Sequence, residues 1–297
     1  MLLAALWKAT ARVIAVTPPL LAVYDVPPPP TKAAPEARLM MAPPPEAKAS
    51  ETQRQGCDCT GAASGIGRST AQVFAREGCK VALVDINEGG LTETLNSIGE
   101  EQAFVAPADV SRTEDVKRAL DQAAARFGRI TTMANCHGIS LMQDTNIVDV
   151  PEETFDRTIT VNLRGIFILC KYGLPHLKRA GGGAIVNLAS GAALFGGGGT
   201  SYTASKGGVT AITRAIAFQN AADNIRCNSI CPGPVDTPML QISMKKLGLT
   251  TMTSRRGTIP RVARPEEVAY LITFLVSDEA AYITGATYTI DGGATQH

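Results

Sequence analysis

The sequence lacks an excess of charge of either sign, and this absence narrows the classes of partner. Its 297 residues include 28 lysines and arginines and 27 aspartates and glutamates, which leaves a formal net charge of +1. Proteins that bind nucleic acid or an anionic membrane surface through electrostatic attraction usually carry a basic excess. The composition therefore predicts neither a nucleic-acid partner nor a membrane partner.

The sequence also lacks long hydrophobic runs and a regular cysteine spacing. No uninterrupted apolar stretch reaches the length of about 18 residues that a membrane-spanning helix needs. The seven cysteines are odd in number and scattered, unlike those of a disulfide-stabilised domain. Cys57 and Cys59 have no second ligand pair nearby, so no zinc site is predicted. We therefore expect a protein of a reducing compartment without a metal site.

Proline is unevenly distributed, with ten of the eighteen prolines in the first 50 residues. Proline-rich runs favour extended, unpacked chain, so we predict a disordered tail over residues 1–53 and one domain over residues 54–297. Residues 1–16 carry Lys8 and Arg12 but no acidic residue. This pattern also fits an organelle-targeting peptide, and an extension from an incorrect gene model is a third interpretation. Without a targeting signal, we expect a cytoplasmic protein.

After residue 60, runs with the apolar period of a helix alternate with runs typical of a buried strand. Residues 65–77 place apolar side chains along one side of a predicted helix, which Gly78 ends. Ser111 and Glu114 have the spacing of a capping box and predict a second helix that ends near Gly128. Strand-like runs occupy residues 80–85, 130–134, 184–188 and 225–230. Strands that alternate with helices predict an α/β fold, with a parallel sheet covered on both faces.

Between a predicted strand and a predicted helix lies a glycine-rich segment, TGAASGIG, from Thr60 to Gly67. Glycines let the backbone approach a pyrophosphate, and a helix N-terminus favours its negative charge. Asp85 ends the next strand, 24 residues after Gly61, where an acid can accept hydrogen bonds from an adenosine ribose. Because Asp85 would repel a 2′-phosphate and Ser64 offers no positive charge, the pattern favours NAD over NADP.

Tyr202 and Lys206 are four residues apart, a spacing that puts two side chains on one face of a helix. A free phenol titrates near ~10, which is too high for a base at neutral pH. A fixed cation nearby favours the phenolate, so Lys206 is predicted to lower the pKa of Tyr202. Ser190 precedes Tyr202 by twelve residues and Asn162 precedes it by forty. This combination is more specific than the tyrosine–lysine pair alone.

These residues belong to a longer ordered series of motifs. The series comprises Thr60 to Gly67, Ala108-Asp109-Val110, Asn135-Cys136-His137-Gly138, Val161-Asn162-Leu163, Ile185 to Ser190, Tyr202 with Lys206, Pro232 to Pro238, Ile283 to Gly285 and Ile290 to Gly293. In these motifs the chain, from about Thr60 to its end, resembles the short-chain dehydrogenase/reductase family, in its compact, non-extended branch. The resemblance implies a Rossmann-type, doubly wound parallel sheet in three layers. It also implies assembly as a homotetramer or homodimer.

The resemblance implies a role for each catalytic residue. Tyr202 would exchange a proton with the substrate oxygen, and Ser190 would hydrogen-bond that oxygen. Lys206 would lower the pKa of Tyr202 and bind the nicotinamide ribose, and Asn162 would hold a water that links Lys206 to solvent. The predicted cofactor-binding residues are Gly61, Ser64, Gly65, Ile66, Gly67, Asp85, Asp109, Val110, Asn135, Gly138, Tyr202, Lys206, Pro232, Gly233, Val235 and Thr237. The resulting prediction is an NAD-dependent oxidoreductase that interconverts a secondary alcohol and a ketone.

Two other interpretations remain open. One is an NADPH-dependent carbonyl reductase, against which Asp85 argues. The other is a cofactor-binding protein without turnover, which the first strand favours because Asp58 places a carboxylate where a central strand is buried. Either this strand is distorted, or the translated N-terminal region is incorrect. The resemblance implies that residues 240–260 cover the substrate, and the methionines and leucines of residues 239–252 indicate a hydrophobic or weakly polar substrate.

Overall fold

The computed structural model describes residues 56–246, 248 and 259–295. The predictions for the tail over residues 1–53 and for a targeting segment at residues 1–16 lie outside this part of the chain. Much of the segment predicted to cover the substrate, including residues 249–258, is outside it as well. Among the described residues, no helix is both long enough and apolar enough to cross a membrane.

Within the described residues, seven strands form one parallel sheet. The strands are β1 (Gly56–Thr60), β2 (Lys80–Asp85), β3 (Ala103–Pro107), β4 (Ile130–Asn135), β5 (Gly183–Leu188), β6 (Ile225–Pro232) and β7 (Thr287–Ile290). Their order in the sheet is β3-β2-β1-β4-β5-β6-β7, and every neighbouring pair is parallel. The strand order reverses between β1 and β4, which opens a crevice at the carboxyl ends of these two strands.

Helices follow most of the strands and cover the sheet. They are α1 (Gly65–Arg76), α2 (Glu88–Ile98), α3 (Thr113–Phe127), α4 (Glu152–Ile159), α5 (Gly165–Arg179), α6 (Ala192–Phe195), α7 (Thr200–Asn220), α8 (Pro238–Lys246) and α9 (Pro265–Val276), with short 3₁₀ turns at Ala221–Asp223 and Asp278–Ala280. A π-helical turn, Thr160–Arg164, joins α4 to α5. Two large apolar clusters flank the sheet, one around Leu120 and Ile166 and the other around Phe74 and Leu275. The predicted three-layer, doubly wound fold is confirmed.

The first strand forms in spite of its unusual composition. All five residues of β1 are buried and pair with both β2 and β4, and the expected distortion is limited to one register shift between Gly56 and Cys57. Asp58 is 0% exposed, and neither carboxylate oxygen has a hydrogen-bond partner. In the sheet it lies between Ala82 and Met133, which belong to the apolar cluster around Leu120. Burial without a partner raises the pKa of Asp58 to about 7.

The predicted capping box at Ser111 and Glu114 is wrong. Helix α3 begins at Thr113 after Arg112, and no side chain caps it. Ser111 is held instead by Asp109, whose carboxylate accepts hydrogen bonds from the Ser111 N–H at 2.9 Å and from its hydroxyl at 2.6 Å. This local turn occupies the hydroxyl that would otherwise cap the helix.

Candidate active site

A cavity of about 730 Å³ occupies the crevice at the carboxyl ends of the strands. Its walls come from the segments that follow β1 to β6, together with α7 and α8. This is the place where open, doubly wound sheets bind their ligands. Within the described residues, no group of three or more His, Cys, Asp and Glu side chains could hold a metal ion.

Most of the predicted site residues line this cavity. They are Gly61, Ser64, Gly65, Ile66, Gly67, Asp85, Asp109, Val110, Gly138, Ser190, Tyr202, Lys206, Pro232, Gly233, Val235 and Thr237. Asn135 and Asn162 do not line it. The structure thus brings residues from six strand ends together, although they are spread over more than half of the sequence.

The glycine-rich turn has the backbone that an approaching phosphate needs. Gly61 has φ 72°, in the left-handed region that favours glycine. A Cβ at Gly67 would overlap the carbonyl oxygen of Gly61, so α1 can pack this closely on the turn only with glycine there. Ser64 precedes α1 and makes no side-chain capping bond. The first N–H groups of α1 are therefore available to a negatively charged ligand.

Asp85 lies at the far end of the cavity from Tyr202 along the sheet, at the carboxyl end of β2. One carboxylate oxygen accepts a hydrogen bond from the Ala63 N–H at 3.3 Å, and the other accepts one from the Asn87 N–H at 3.0 Å. These two bonds fix the carboxylate beside the glycine-rich turn. Each oxygen keeps a lone pair that can accept a further bond from a ribose hydroxyl.

Tyr202, Ser190 and Lys206 form one wall of the cavity. Tyr202 and Lys206 lie on α7, while Ser190 follows β5. The side chain of Ser190 is hydrogen-bonded to the Tyr202 hydroxyl, and its oxygen accepts the Ala192 N–H at 3.2 Å. The Lys206 ammonium lies 5.8 Å from the centre of the Tyr202 ring. It also donates a hydrogen bond of 2.7 Å to the Leu188 carbonyl oxygen.

The predicted direction of the Tyr202 pKa shift is wrong for this structure. Burial raises the pKa of Tyr202 above its usual value, and the hydrogen bond to Ser190 opposes this only in part. Burial also lowers the pKa of Lys206 to about 8. The physical reason is that both groups are removed from water, so each favours its neutral form. The hydrogen bond to Ser190 is the contact that opposes this rise in the pKa of Tyr202.

The hydrogen bonds of the two predicted asparagines hold the segments around the cavity in place. Asn162 lies in the π-helical turn, where its side-chain oxygen accepts the Ile139 N–H at 2.8 Å and its amide donates to the Ile139 carbonyl at 2.9 Å. Asn135 was predicted to bind the cofactor, but it does not line the cavity. It is fully buried, and its amide donates to the Asn187 side-chain oxygen at 2.8 Å, which links β4 to β5.

His137 lies at the base of the cavity as a neutral side chain. Its Nδ1 shares a hydrogen bond of 2.9 Å with the Thr60 hydroxyl. Burial, reinforced by the charge of Lys206, lowers the pKa of His137 to about 3. The imidazole is thus uncharged at neutral pH and cannot attract an anion. Its contact with Thr60 joins the ends of β1 and β4.

Asp144 is a supporting residue that the sequence analysis missed. It is 4% exposed, and its carboxylate accepts the backbone N–H groups of Ser201 at 2.9 Å and Tyr202 at 2.8 Å. A carboxylate at this position satisfies the first N–H groups of α7 and complements its dipole. It therefore sets the position at which Tyr202 enters the cavity. No local signal marks Asp144, because its partners are 57 and 58 residues away.

The end of the cavity beyond Tyr202 is mainly apolar. Among the residues that line it are Ile139, Ala192, Phe195, Met239 and Leu240. Phe195 ends the short helix α6, and Met239 and Leu240 begin α8. Of the described residues that line the whole cavity, Lys206 and Arg157 are the cations.

Comparisons with known proteins agree with this geometry. The family described as Enoyl-(Acyl carrier protein) reductase matches residues 61–295. The chain is 37% identical over 240 residues to the 3-oxoacyl-(acyl-carrier-protein) reductase FabG of Thermotoga maritima. This alignment covers 80% of this chain and 96% of that protein. The chain is also 38% identical over 243 residues to a cyclohexanol dehydrogenase of an Acinetobacter species. This alignment covers 80% of this chain and 93% of that protein.

A solved structure shows the same fold. The 3-ketoacyl-(acyl-carrier-protein) reductase of Brucella melitensis, complexed with NADH, superposes with a TM-score of 0.76 at 32% identity, over 82% of this chain and 99% of that one. The matches span the sheet, the glycine-rich turn and the tyrosine–lysine helix together. The chain belongs to the short-chain dehydrogenase/reductase family.

Proposed function

We propose that this protein is an NAD-dependent oxidoreductase that interconverts a secondary alcohol and a ketone, with Tyr202 as the acid/base. The observation that carries the proposal is the wall formed by Tyr202, Ser190 and Lys206. In it, the tyrosine and serine hydroxyls are hydrogen-bonded to each other, beside a buried ammonium and facing the cavity. Members of the family act as dehydrogenases or reductases, which supports a reaction of this kind.

Each of the three side chains has a different role at the substrate oxygen. In alcohol oxidation, the Tyr202 phenolate accepts the hydroxyl proton, and in ketone reduction the phenol returns it. Ser190 donates a hydrogen bond to the same oxygen and orients it next to Tyr202. The Lys206 charge favours the phenolate when a substrate and cofactor exclude water from the cavity. Asn162 holds the Ile139 backbone in one position. Ile139 lines the end of the cavity beyond Tyr202, which we call the substrate end.

The residues at the other end of the cavity fit a nicotinamide dinucleotide. The positive φ of Gly61, the close packing at Gly67 and the free N–H groups of α1 suit a pyrophosphate. Asp85 suits the hydroxyls of an adenosine ribose. The cofactor supplies the hydride acceptor or donor, and the protein supplies its position. Arg68, on the first turn of α1, is committed to the Ala63 carbonyl and to Glu93, so it does not offer its charge to a 2′-phosphate.

The substrate end supports a neutral, apolar alcohol or ketone. Ile139, Phe195, Met239 and Leu240 give it an apolar lining, and burial against such side chains favours a hydrocarbon substituent. The similarity to a cyclohexanol dehydrogenase is consistent with an alicyclic substrate. We further propose assembly as a homotetramer or homodimer, which the exposed aromatic rings of Phe167, Phe218 and Tyr282 support.

The rival proposals differ in cofactor and in turnover. An NADPH-dependent carbonyl reductase is consistent with the similarity to the Thermotoga maritima reductase, but a carboxylate at Asp85 would repel a 2′-phosphate. A binding protein without turnover was suggested by the composition of the first strand. The pairing of all five β1 residues with β2 and β4 argues against this alternative, because the strand supports the glycine-rich turn in spite of Asp58.

The choice of cofactor gives a direct test. We expect kcat/KM to be at least tenfold higher with NAD than with NADP, which corresponds to about 1.4 kcal/mol. Combining Asp85→Ser with Ser64→Arg should erase or reverse this preference, because it removes the negative charge and adds a positive one. Ser64 is exposed and makes no capping bond, so its replacement should not weaken α1. Initial rates with both cofactors measure the effect.

Glu88→Gln is the matched control for this double change. It removes a nearby exposed carboxylate that does not line the cavity. We expect the preference for NAD to survive in this variant. If the unaltered protein used both cofactors equally well, Asp85 would not face the ribose and this part of the proposal would be overturned.

A further inference from the structure

Four thiols gather around β1, and the proposed reaction uses none of them. Cys57 and Cys59 alternate along the strand and are buried on one face of the sheet, in the apolar cluster around Phe74. Each lies beside a second, partly exposed thiol, Cys57 beside Cys79 and Cys59 beside Cys136. The thiols are not part of a metal-binding group in the described part of the chain. Two neighbouring thiols can instead be oxidised together.

The pair formed by Cys59 and Cys136 lies directly beneath the glycine-rich turn. Cys59 is paired in the sheet with Ala134, and Cys136 is two residues further along, so both side chains point to the same face. The Cys59 thiol donates to the Gly67 carbonyl at 3.4 Å, and the Cys136 sulfur lies 4.0 Å from the Thr70 hydroxyl. Both sulfurs therefore contact the first turns of α1.

Cys136 also reaches the cavity, which gives this pair an entry for a small oxidant. It lines the cavity wall, whereas Cys59 is 0% exposed. The pair formed by Cys57 and Cys79 lies below it, and neither of its members lines the cavity. The two pairs share the same strand and the same kind of contact but differ in access from the cavity.

We propose that Cys59 and Cys136 form a site of reversible oxidation, in which hydrogen peroxide that enters the cavity converts the two thiols to a disulfide. The sulfur of Cys136 attacks the peroxide, the O–O bond breaks, and one water leaves. Cys136 is then a sulfenic acid. The sulfur of Cys59 attacks it, the S–S bond forms, the S–O bond breaks, and the Cys59 proton leaves with the hydroxyl as a second water. Two thiols lose two electrons, and the peroxide gains them.

The roles of the two sulfurs follow from their surroundings. Cys136 is the attacking residue because it is the one that an oxidant in the cavity can reach. The hydrogen bond to Cys136, together with burial, raises the pKa of Cys59 well above its usual value. Cys59 therefore stays protonated until a sulfenic acid forms next to it. A buried thiol beside the oxidised one is well placed to resolve it.

A disulfide at this position would act on cofactor binding. Gly61 packs against the backbone of Cys136, because a Cβ at Gly61 would lie 3.0 Å from the Cys136 carbonyl carbon. Drawing the two sulfurs to bonding distance would move this contact and the first turns of α1. We therefore expect the oxidised protein to bind NAD more weakly. We also expect bound NAD to cover Cys136 and to slow its oxidation, and these two expectations rest on the proposed function.

The test uses the full chain and hydrogen peroxide. After treatment with and without saturating NAD, free thiols are blocked with N-ethylmaleimide, and the unreduced protein is digested and analysed by mass spectrometry. We expect a cross-linked peptide pair that joins Cys59 to Cys136, lacks two hydrogen atoms and is lost after reduction with dithiothreitol. NAD should slow its formation by about tenfold or more. Recovery of Cys136 as an unlinked thiol or sulfinic acid would overturn the proposal.

Matched variants separate this pair from the other one. Cys59→Ala should abolish the cross-link and leave Cys136 to be oxidised further, and Cys59→Val serves if the alanine variant does not fold. Cys79→Ala should keep the cross-link between Cys59 and Cys136. A cross-link that persisted without Cys59 would contradict the assignment. If the cross-link forms but NAD does not slow it, the oxidation site stands and the proposed position of NAD is overturned.

Discussion

Replacing Tyr202 by phenylalanine should lower kcat by several orders of magnitude, on the order of the 10²- to 10⁴-fold that a positioned acid/base contributes. The change removes the hydroxyl that exchanges the proton, but it keeps the ring that lines the cavity and the backbone N–H that Asp144 holds. Binding of NAD should therefore be nearly unchanged. Initial rates of NADH formation and a separate titration of the protein with NAD measure the two quantities.

Ser190→Ala is the graded control for Tyr202→Phe. It removes one hydrogen-bond donor to the substrate oxygen and leaves the acid/base in place. We expect it to cost roughly 2–3 kcal/mol of transition-state stabilisation, the scale of one lost oxyanion donor. A Tyr202→Phe variant with full activity would show that another group transfers the proton.

Replacing Asp58 by valine should stabilise the protein strongly at alkaline pH. Folding raises the pKa of Asp58 from 3.8 to about 7, so the folded state binds this proton more tightly than the unfolded state. The contribution of Asp58 to the free energy of unfolding is at its maximum below about pH 4, where the carboxyl is protonated in both states. This contribution decreases as the pH rises to about 7. At about 1.4 kcal/mol per pKa unit, the loss is roughly 4 kcal/mol. Asp58→Val should raise the free energy of unfolding at pH 8 by an amount of this order, and denaturant unfolding at pH 5 and pH 8 measures it.

Asp58→Asn separates the effect of removing the charge from the effect of the apolar burial that valine adds. It keeps the shape and cannot ionise, so the fall in stability between pH 5 and pH 8 should be much smaller than in the unaltered protein. Valine should add burial and strand propensity to this effect. An unchanged pH dependence in both variants would show that Asp58 is not the group responsible. Loss of turnover in a folded Asp58→Val protein would instead give Asp58 a functional role.

The features that could be predicted from the sequence are those that depend on local patterns. The strand that ends at Asp85 and the helix that begins at Gly65 have the expected bounds within about one residue, because periodicity and glycine determine them. The spacing of Tyr202 and Lys206 similarly predicted their common face on α7. Strands β3 and β7 were not predicted, because runs of five and four residues are too short to show a clear period.

The features that could not be predicted depend on contacts between distant segments. Asp144 holds the start of α7 from a loop far along the chain, and nothing in its neighbours indicates this. Asn135 belongs to a motif of the site but turns its amide toward Asn187, inside the sheet. The pKa of Tyr202 is raised because burial outweighs the hydrogen bond to Ser190, and burial is not visible in a four-residue spacing.

The most direct test of the proposed function is turnover by the unaltered protein. NADH formation would be measured with NAD and a panel of secondary alcohols, including cyclohexanol and an analogue of cyclohexanol that carries a carboxylate. We predict turnover with a neutral alicyclic or other apolar alcohol, with NAD preferred over NADP and the carboxylate analogue disfavoured. A protein that binds NAD but turns over no alcohol in the panel, and reduces none of the corresponding ketones with NADH, would contradict it.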